Sequence, residues 1–165
     1  MFIRKYLPEF VYGGVDGTVT TFAIVAGTVG AGLSSAVVLI LGFANLFADG
    51  FSMAASNYLS ESSEEDLGRG EQKPLRTAFA TFFSFVVVGV IPLLPFVIEY
   101  AGVVFPQSAF IYSSILTAIA FLLIGAARGK VAGKNSIATA LITLCIGGVA
   151  AVIAYYVGDI LGGIV

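Results

Sequence analysis

Charged residues are absent from four long stretches of this 165-residue chain. The uncharged stretches comprise 32 residues after Asp16, 22 after Arg76, 28 after Glu99 and 24 after Lys134. A helix needs about 20 mostly apolar residues to cross the hydrocarbon of a bilayer. The pattern therefore predicts an all-α, polytopic membrane protein.

The longest uncharged stretch is too long for one helix. It contains GAGLSS at residues 30–35, and such clusters of glycine and serine are typical of a tight turn. Dividing the stretch there gives five spans in a single transmembrane domain, residues 1–165. The predicted spans are residues 10–31, 36–58, 77–98, 109–127 and 136–158, with an acidic loop at residues 60–75.

The basic residues predict an orientation. With five spans, all of them fall on one side of the membrane, in the N-terminal segment and in the connections after the second and fourth spans. Basic loops face the cytoplasm, so we expect a cytoplasmic N-terminus and an external C-terminus. The eight residues are Arg4, Lys5, Arg69, Lys73, Arg76, Arg128, Lys130 and Lys134.

Composition excludes several function classes. Charged residues make up 11% of the chain, against about a quarter in a soluble domain. The net charge of −2, without a basic tract, gives nucleic acid no electrostatic attraction. The chain has no His and only Cys145, which excludes a disulfide framework and His- or Cys-based zinc centres. We expect a membrane protein of the cell membrane that is not an enzyme and has no resident cofactor.

Two carboxylates lie within the first two predicted spans. An acidic side chain in the hydrocarbon costs about 2.5–3.5 kcal/mol on insertion scales, so it needs a functional reason. At a rise of about 1.5 Å per residue, Asp16 lies about 9 Å and Asp49 about 13 Å below the cytoplasmic edge. The two helices run antiparallel, so we expect the carboxylates to face each other.

Helical phase gives each Asp a row of polar or small neighbours. On the first helix, Glu9 lies about 10 Å closer to the cytoplasm than Asp16 and would form the mouth of a pathway. The small residues also have the spacing of helix-packing motifs, so packing is an alternative role for them. The rows are Glu9, Gly13, Asp16, Thr20 and Gly27 on the first helix, and Asn45, Asp49, Ser52, Met53, Ser56 and Ser60 on the second.

Oxygen ligands with one thioether indicate a divalent cation. Carboxylates, amides and hydroxyls suit Mg²⁺, Ca²⁺ or Mn²⁺, whereas the Met53 sulfur favours later transition metals such as Fe²⁺. In the acidic loop, three glutamates would share a helical face if the second helix continued outward; they are candidates for weak metal capture or a solvated cap. The predicted metal ligands are Asp16, Asp49, Met53, Glu9 and Asn45, with Glu61, Glu64 and Glu65 from the loop.

Several segments resemble one known family. Residues 14–23, GVDGTVTTFA, resemble the first-helix signature of the vacuolar iron transporter family. Residues 45–53, NLFADGFSM, together with NYL at 57–59, resemble its second-helix signature. GVIPLLP at residues 89–95 resembles the third-helix motif, and residues 147–155 are similar to the fifth.

The resemblance implies five helices, a cytoplasmic N-terminus and a homodimer whose first and second helices form the pathway. Family members move Fe²⁺ and Mn²⁺ out of the cytosol in exchange for protons, so the resemblance implies metal ions and protons as partners. Family pathway positions match at Glu9, Asp16 and Met53.

The chain departs from the family at two places. Eukaryotic members have a Glu at the position of Asn45, and here Asp49, one turn further along, takes the place of that carboxylate. Eukaryotic members also insert a Glu-rich metal-binding domain between the second and third helices, and this chain has only the short segment at residues 60–74.

Three other functions are compatible with paired intramembrane carboxylates. A cation channel and a non-transporting membrane scaffold are the main alternatives. An intramembrane aspartyl protease would use two Asp residues as an acid–base pair, but the Gly-x-Gly-Asp pattern of that class is absent.

Overall fold

The fold is a bundle of helices in the part of the chain that the computed structural model describes, residues 6–70 and 72–164. Five spans are long and apolar enough to cross a membrane, and no strand occurs among these residues. The predicted all-α fold with five transmembrane helices is confirmed. Arg4 and Lys5 lie outside the described residues, and the orientation of the termini stays a prediction. The helices are α1 (Leu7–Gly30), α2 (Ser35–Asp66), α3 (Pro74–Gly89), α4 (Leu94–Tyr100), α5 (Ala109–Val131) and α6 (Ser136–Gly162).

The second helix is longer than predicted. We expected its span to end at residue 58 and a loop at residues 60–75, but α2 continues to Asp66. Residues 60–66 contain no Gly or Pro to stop the helix. It ends before Gly68, whose φ of 71° favours glycine. The true connection to α3 is therefore short, and the acidic residues extend the helix.

The third span is interrupted, although a single helix was predicted for residues 77–98. A 3₁₀ turn over Ile91–Leu93 separates α3 from α4, because Pro92 and Pro95 cannot donate backbone hydrogen bonds. The hydroxyl of Ser113 on α5 donates to the Pro92 carbonyl over 2.6 Å. A neighbouring side chain thus satisfies a carbonyl at the break, as a membrane requires.

Helix α1 lies at the centre of the bundle and contacts α2, α3, α5 and α6. A methyl group at Gly17 would lie 2.5 Å from the carbonyl oxygen of Phe85 on α3. At the other end of α1, a methyl group at Gly27 would lie 3.2 Å from the Ala154 carbonyl oxygen on α6. The packing role of the small residues is confirmed, and it brings α1 against both neighbours at backbone distance.

The interior of the bundle carries hydroxyl groups, and its outside carries large apolar side chains. Thr18 donates to the Gly14 carbonyl over 2.7 Å, and Thr143 donates to the Thr139 carbonyl over 2.9 Å. Such bonds to the preceding turn satisfy a buried hydroxyl within its own helix. Outward-facing residues such as Phe51 and Leu123 are exposed. This distribution fits a bundle whose solvent is lipid.

We predict that Gly17→Ala destabilises the bundle by about 1–3 kcal/mol, the usual cost of overpacking. The added methyl group would press on the α3 backbone, which cannot yield as a flexible side chain can. The measurement is the thermal unfolding midpoint of the purified protein in detergent. Gly148→Ala is the matched control, because nothing lies within 4 Å of that added methyl group. Equal midpoints for the two variants would contradict the tight contact between α1 and α3.

Candidate functional site

Asp16 and Asp49 lie on α1 and α2, two helices that contact each other. Both side chains are half-buried, and the Asp49 carboxylate is near enough to Asp16 for the two charges to repel each other. Thr20 does not neutralise the pair, because its hydroxyl donates to the backbone carbonyl of Asp16 over 2.9 Å. The arrangement concentrates negative charge between two helices, where a proton or a cation would relieve the repulsion.

A cavity of about 300 Å³ lies beside α2 on the side where the acidic end of the helix emerges. Tyr12 is four residues before Asp16, and Met53 is four residues after Asp49, so both stand one helical turn from the acidic pair. Hydroxyls, an amide and a thioether therefore line a cavity that begins one helical turn from the carboxylates. The lining residues are Tyr12, Ser52, Met53, Ser56, Asn57 and Ser60.

Asn45 lies one turn beyond Asp49, on the side away from the cavity. The side chain is half-buried, and its amide nitrogen Nδ2 is buried without a hydrogen-bond partner. A buried N–H group without a partner costs free energy in a finished structure. In the single chain, an amide N–H group close to the acidic pair therefore lacks a hydrogen-bond acceptor.

Glu9 does not form an open mouth, as was predicted from its place on the helix. Its side chain is only 9% exposed, and its Oε1 atom accepts a hydrogen bond of 2.8 Å from Nε2 of Gln72. Its second oxygen, Oε2, is buried without a partner. The segment before α3 therefore covers Glu9, and one carboxylate oxygen behind that cover stays unsatisfied.

The predicted polar face of α1 is narrower in the structure. Gly13 meets Ser84 and Thr81 on α3, and Gly27 meets α6. Both glycines therefore pack against neighbouring helices and do not lie beside Asp16 on an open face. Of the predicted row, Asp16 and Thr20 remain on the open part of α1, and Tyr12 lies there as well.

The three loop glutamates stand on the last turns of α2. Glu61 is half-buried, whereas Glu64 and Glu65 are exposed. Within residues 6–70 and 72–164, no three or more His, Cys, Asp or Glu side chains gather into a group able to hold a metal ion. Among these described residues, acidic side chains therefore come close to one another at most in pairs.

Sequence reasoning missed three residues that shape the site. Tyr12 and Asn57 could have been found, because each lies four residues from a predicted ligand on the same helix. Gln72 carried no signal, because its contact with Glu9 joins residues 63 positions apart. Helical spacing reveals partners along one helix but not partners across the bundle.

Most of the chain is similar to known proteins. A model of the VIT family matches residues 7–73 and 67–159. The vacuolar iron transporter of Toxoplasma gondii is 26% identical over an alignment 224 residues long, which covers 94% of this chain and 74% of that protein. The vacuolar iron transporter of Centaurea cyanus is 26% identical over 210 residues, 89% of this chain and 84% of that protein. That of Plasmodium berghei is 40% identical over 70 residues, 42% of this chain and 26% of that protein.

We predict that Gln72→Ala exposes the segment between α2 and α3. Loss of a hydrogen bond to a charged group costs about 1.5–3 kcal/mol, so the segment should open at least about tenfold more often and trypsin should cut after Arg69 faster by the same factor. The measurement is the cleavage rate in inside-out vesicles. Gln107→Ala, on the connection between α4 and α5, is the control. An unchanged rate would show that the bond to Glu9 does not hold the segment.

Proposed function

Because this chain belongs to the VIT family of vacuolar iron transporters, we propose that it exports Fe²⁺ and Mn²⁺ from the cytosol across the cell membrane. The observation that carries the proposal is a pair of half-buried carboxylates, Asp16 and Asp49, whose charges interact one helical turn from the cavity residues Tyr12 and Met53. The metal ion is the cargo, and no resident cofactor is needed.

The donor set suits a transported transition metal. Asp16 and Asp49 supply charged oxygens that Mn²⁺ and Fe²⁺ accept, and the Met53 sulfur adds a softer ligand that Mg²⁺ and Ca²⁺ disfavour. Asn45 extends the path beyond the pair along α2, whereas Glu9 is covered by the segment before α3 and lies outside the open path. Mixed ligands of this kind bind a cation reversibly, as transport requires.

Proton exchange follows from competition for the same oxygens. A carboxylate must be deprotonated to ligate a metal, so metal binding releases protons and metal release allows them to return. The like charges of Asp16 and Asp49 are relieved by either occupant. Exchange of metal for protons therefore needs no further titratable group.

A second copy of the chain completes the site in this proposal. A divalent ion takes about six ligands, and one chain brings two carboxylates together, whereas a two-fold axis beside α1 and α2 would bring four. Ser52 and Ser56 are exposed within a membrane-spanning helix, where polar groups face a protein neighbour or water rather than lipid. A homodimer covers this face and forms the pathway at its interface.

The glutamates at the end of α2 act as an attractor for cations. Glu64 and Glu65 are exposed, so they raise the local cation concentration at the cytoplasmic opening by long-range attraction, which salt screens. Glu61 is half-buried and lies closer to the cavity. These residues replace the missing metal-binding domain only in part.

We predict that Asp16→Asn abolishes transport, and that Asp49→Asn does the same. The amide keeps the shape and one oxygen, but it removes the charge for which metal and proton compete. The measurement is uptake of Fe²⁺ or Mn²⁺ into inside-out proteoliposomes with an imposed pH gradient. Met53→Leu should retain coupling and shift preference towards Mn²⁺.

The same assay separates the alternatives. Saturable uptake that collapses with the pH gradient supports a proton-coupled carrier, whereas uptake that does not saturate indicates a channel. A scaffold would give no uptake above empty vesicles. Gradient-driven metal uptake by the Asp16→Asn variant would contradict Asp16 as the coupling group.

We predict that two copies can be linked through the exposed polar face of α2. Ala48→Cys lies one turn from Ser52 on that face, and a short bifunctional thiol reagent should join two such chains in the membrane. The background is Cys145→Ser, because the native Cys145 is exposed. The control is Leu123→Cys, exposed on α5, which should not be joined. Full transport by a demonstrably monomeric preparation would contradict the dimer.

A further inference from the structure

A buried hydroxyl on α3 accepts a hydrogen bond from the side-chain amide of Asn57. Nδ2 of Asn57 donates to Oγ1 of Thr81 over 2.6 Å. Thr81 is fully buried, so water does not compete for this bond. The bond links the wall of the cavity beside α2 to the neighbouring helix.

The direction of the next hydrogen bond fixes the orientation of the amide. The Thr81 hydroxyl donates to the Thr77 carbonyl over 3.0 Å. A hydroxyl has one proton and a carbonyl can only accept, so Thr81 accepts from Asn57 and cannot donate to it. The amide NH₂ therefore faces Thr81, and the amide oxygen Oδ1 is turned away from it, on a residue that lines the cavity.

Asn57 also completes a row of ligand-type residues along α2. Positions four apart lie about 6 Å apart along the helix axis and about 40° apart around it. Each member of the row is half-buried, and each carries an oxygen or a sulfur. The row is Asn45, Asp49, Met53, Asn57 and Glu61.

We propose that Asn57 is a metal ligand of the pathway, through Oδ1, and that Thr81 is the residue that positions its amide. The inference rests on the proposed metal transport. An amide oxygen is a neutral ligand for Mn²⁺ or Fe²⁺, so it passes the ion between the acidic end of α2 and the Met53 sulfur without trapping it. Thr81 touches no metal and acts only through Asn57.

The test compares half-saturation with maximal flux. Asn57→Leu removes the ligand, and Thr81→Val removes only the acceptor that orients it. We expect each to raise the Mn²⁺ concentration for half-maximal uptake by about tenfold, the lower end of what loss of an orienting partner costs in metal affinity. Maximal flux should return at high Mn²⁺. Thr81→Ser, which keeps the hydroxyl, should restore the half-saturation.

Two further variants separate ligation from stability. Asn57→Asp supplies a charged oxygen, and we expect it to bind Mn²⁺ more tightly than Asn57→Leu. Thr117→Val is the matched control, because Thr117 is a buried hydroxyl on α5 without a hydrogen-bond partner. We expect this control to keep the half-saturation of the unsubstituted protein. Melting temperatures of all variants are measured in parallel.

Several outcomes would overturn the inference. If Asn57→Leu and Thr81→Val lower the melting temperature and maximal flux while half-saturation stays unchanged, the bond is structural only. If Asn57→Asp is as impaired as Asn57→Leu, the oxygen is not a ligand. Should Asn57→Leu fail to fold, Thr81→Val and Asn57→Asp give the same decision. Absence of metal uptake by the unsubstituted protein would overturn the proposed transport itself, which distinguishes the two failures.

Discussion

The backbone contact of α1 with α3 is the constraint on which the position of the intramembrane carboxylate Asp16 depends. Asp16 can face α2 only because α1 is held firmly by its other neighbours. Gly17, the next residue, is turned about 100° around the helix and packs against the Phe85 backbone of α3. The tight glycine contact on one side of α1 thus fixes the direction of the acidic side chain on another. The orientation of α1 about its own axis therefore determines both how Gly17 packs against α3 and where the Asp16 carboxylate points.

Along α2, neutral side chains stand between two acidic regions. Negative groups stand at its C-terminal end and at Asp49, and the neutral Met53 and Asn57 lie between them. Conduction requires sites that bind strongly enough to admit an ion and weakly enough to release it. In the pathway proposed above, Met53 and Asn57 between the two acidic regions would meet both requirements. The unbroken helix from Ser35 to Asp66 is what places these groups in one row.

The spans and the acidic pair could be predicted from sequence, because bilayer thickness fixes span length and a carboxylate in hydrocarbon is conspicuous. The break at Pro92 was missed because the span was read from hydropathy, which does not change there, although Pro92 and Pro95 carry the signal for it. The extension of α2 to Asp66 was missed because acidic residues read equally as a loop or an exposed helix. The bonds from Gln72 to Glu9 and from Asn57 to Thr81 depend on which helices become neighbours, and periodicity along one helix contains no such information.

The single chain leaves the same region unfinished in two independent respects. The Asn45 amide nitrogen is buried without a partner, and the polar side chains Ser52 and Ser56 are exposed along a helix that crosses the membrane. The first is a cost to stability and the second a surface that lipid cannot solvate. A second copy placed on this face would cover the two serines and would add carboxylates to the acidic pair. Dimer assembly and metal binding would then use the same surface. The effect of a substitution in the pathway must therefore be measured on both.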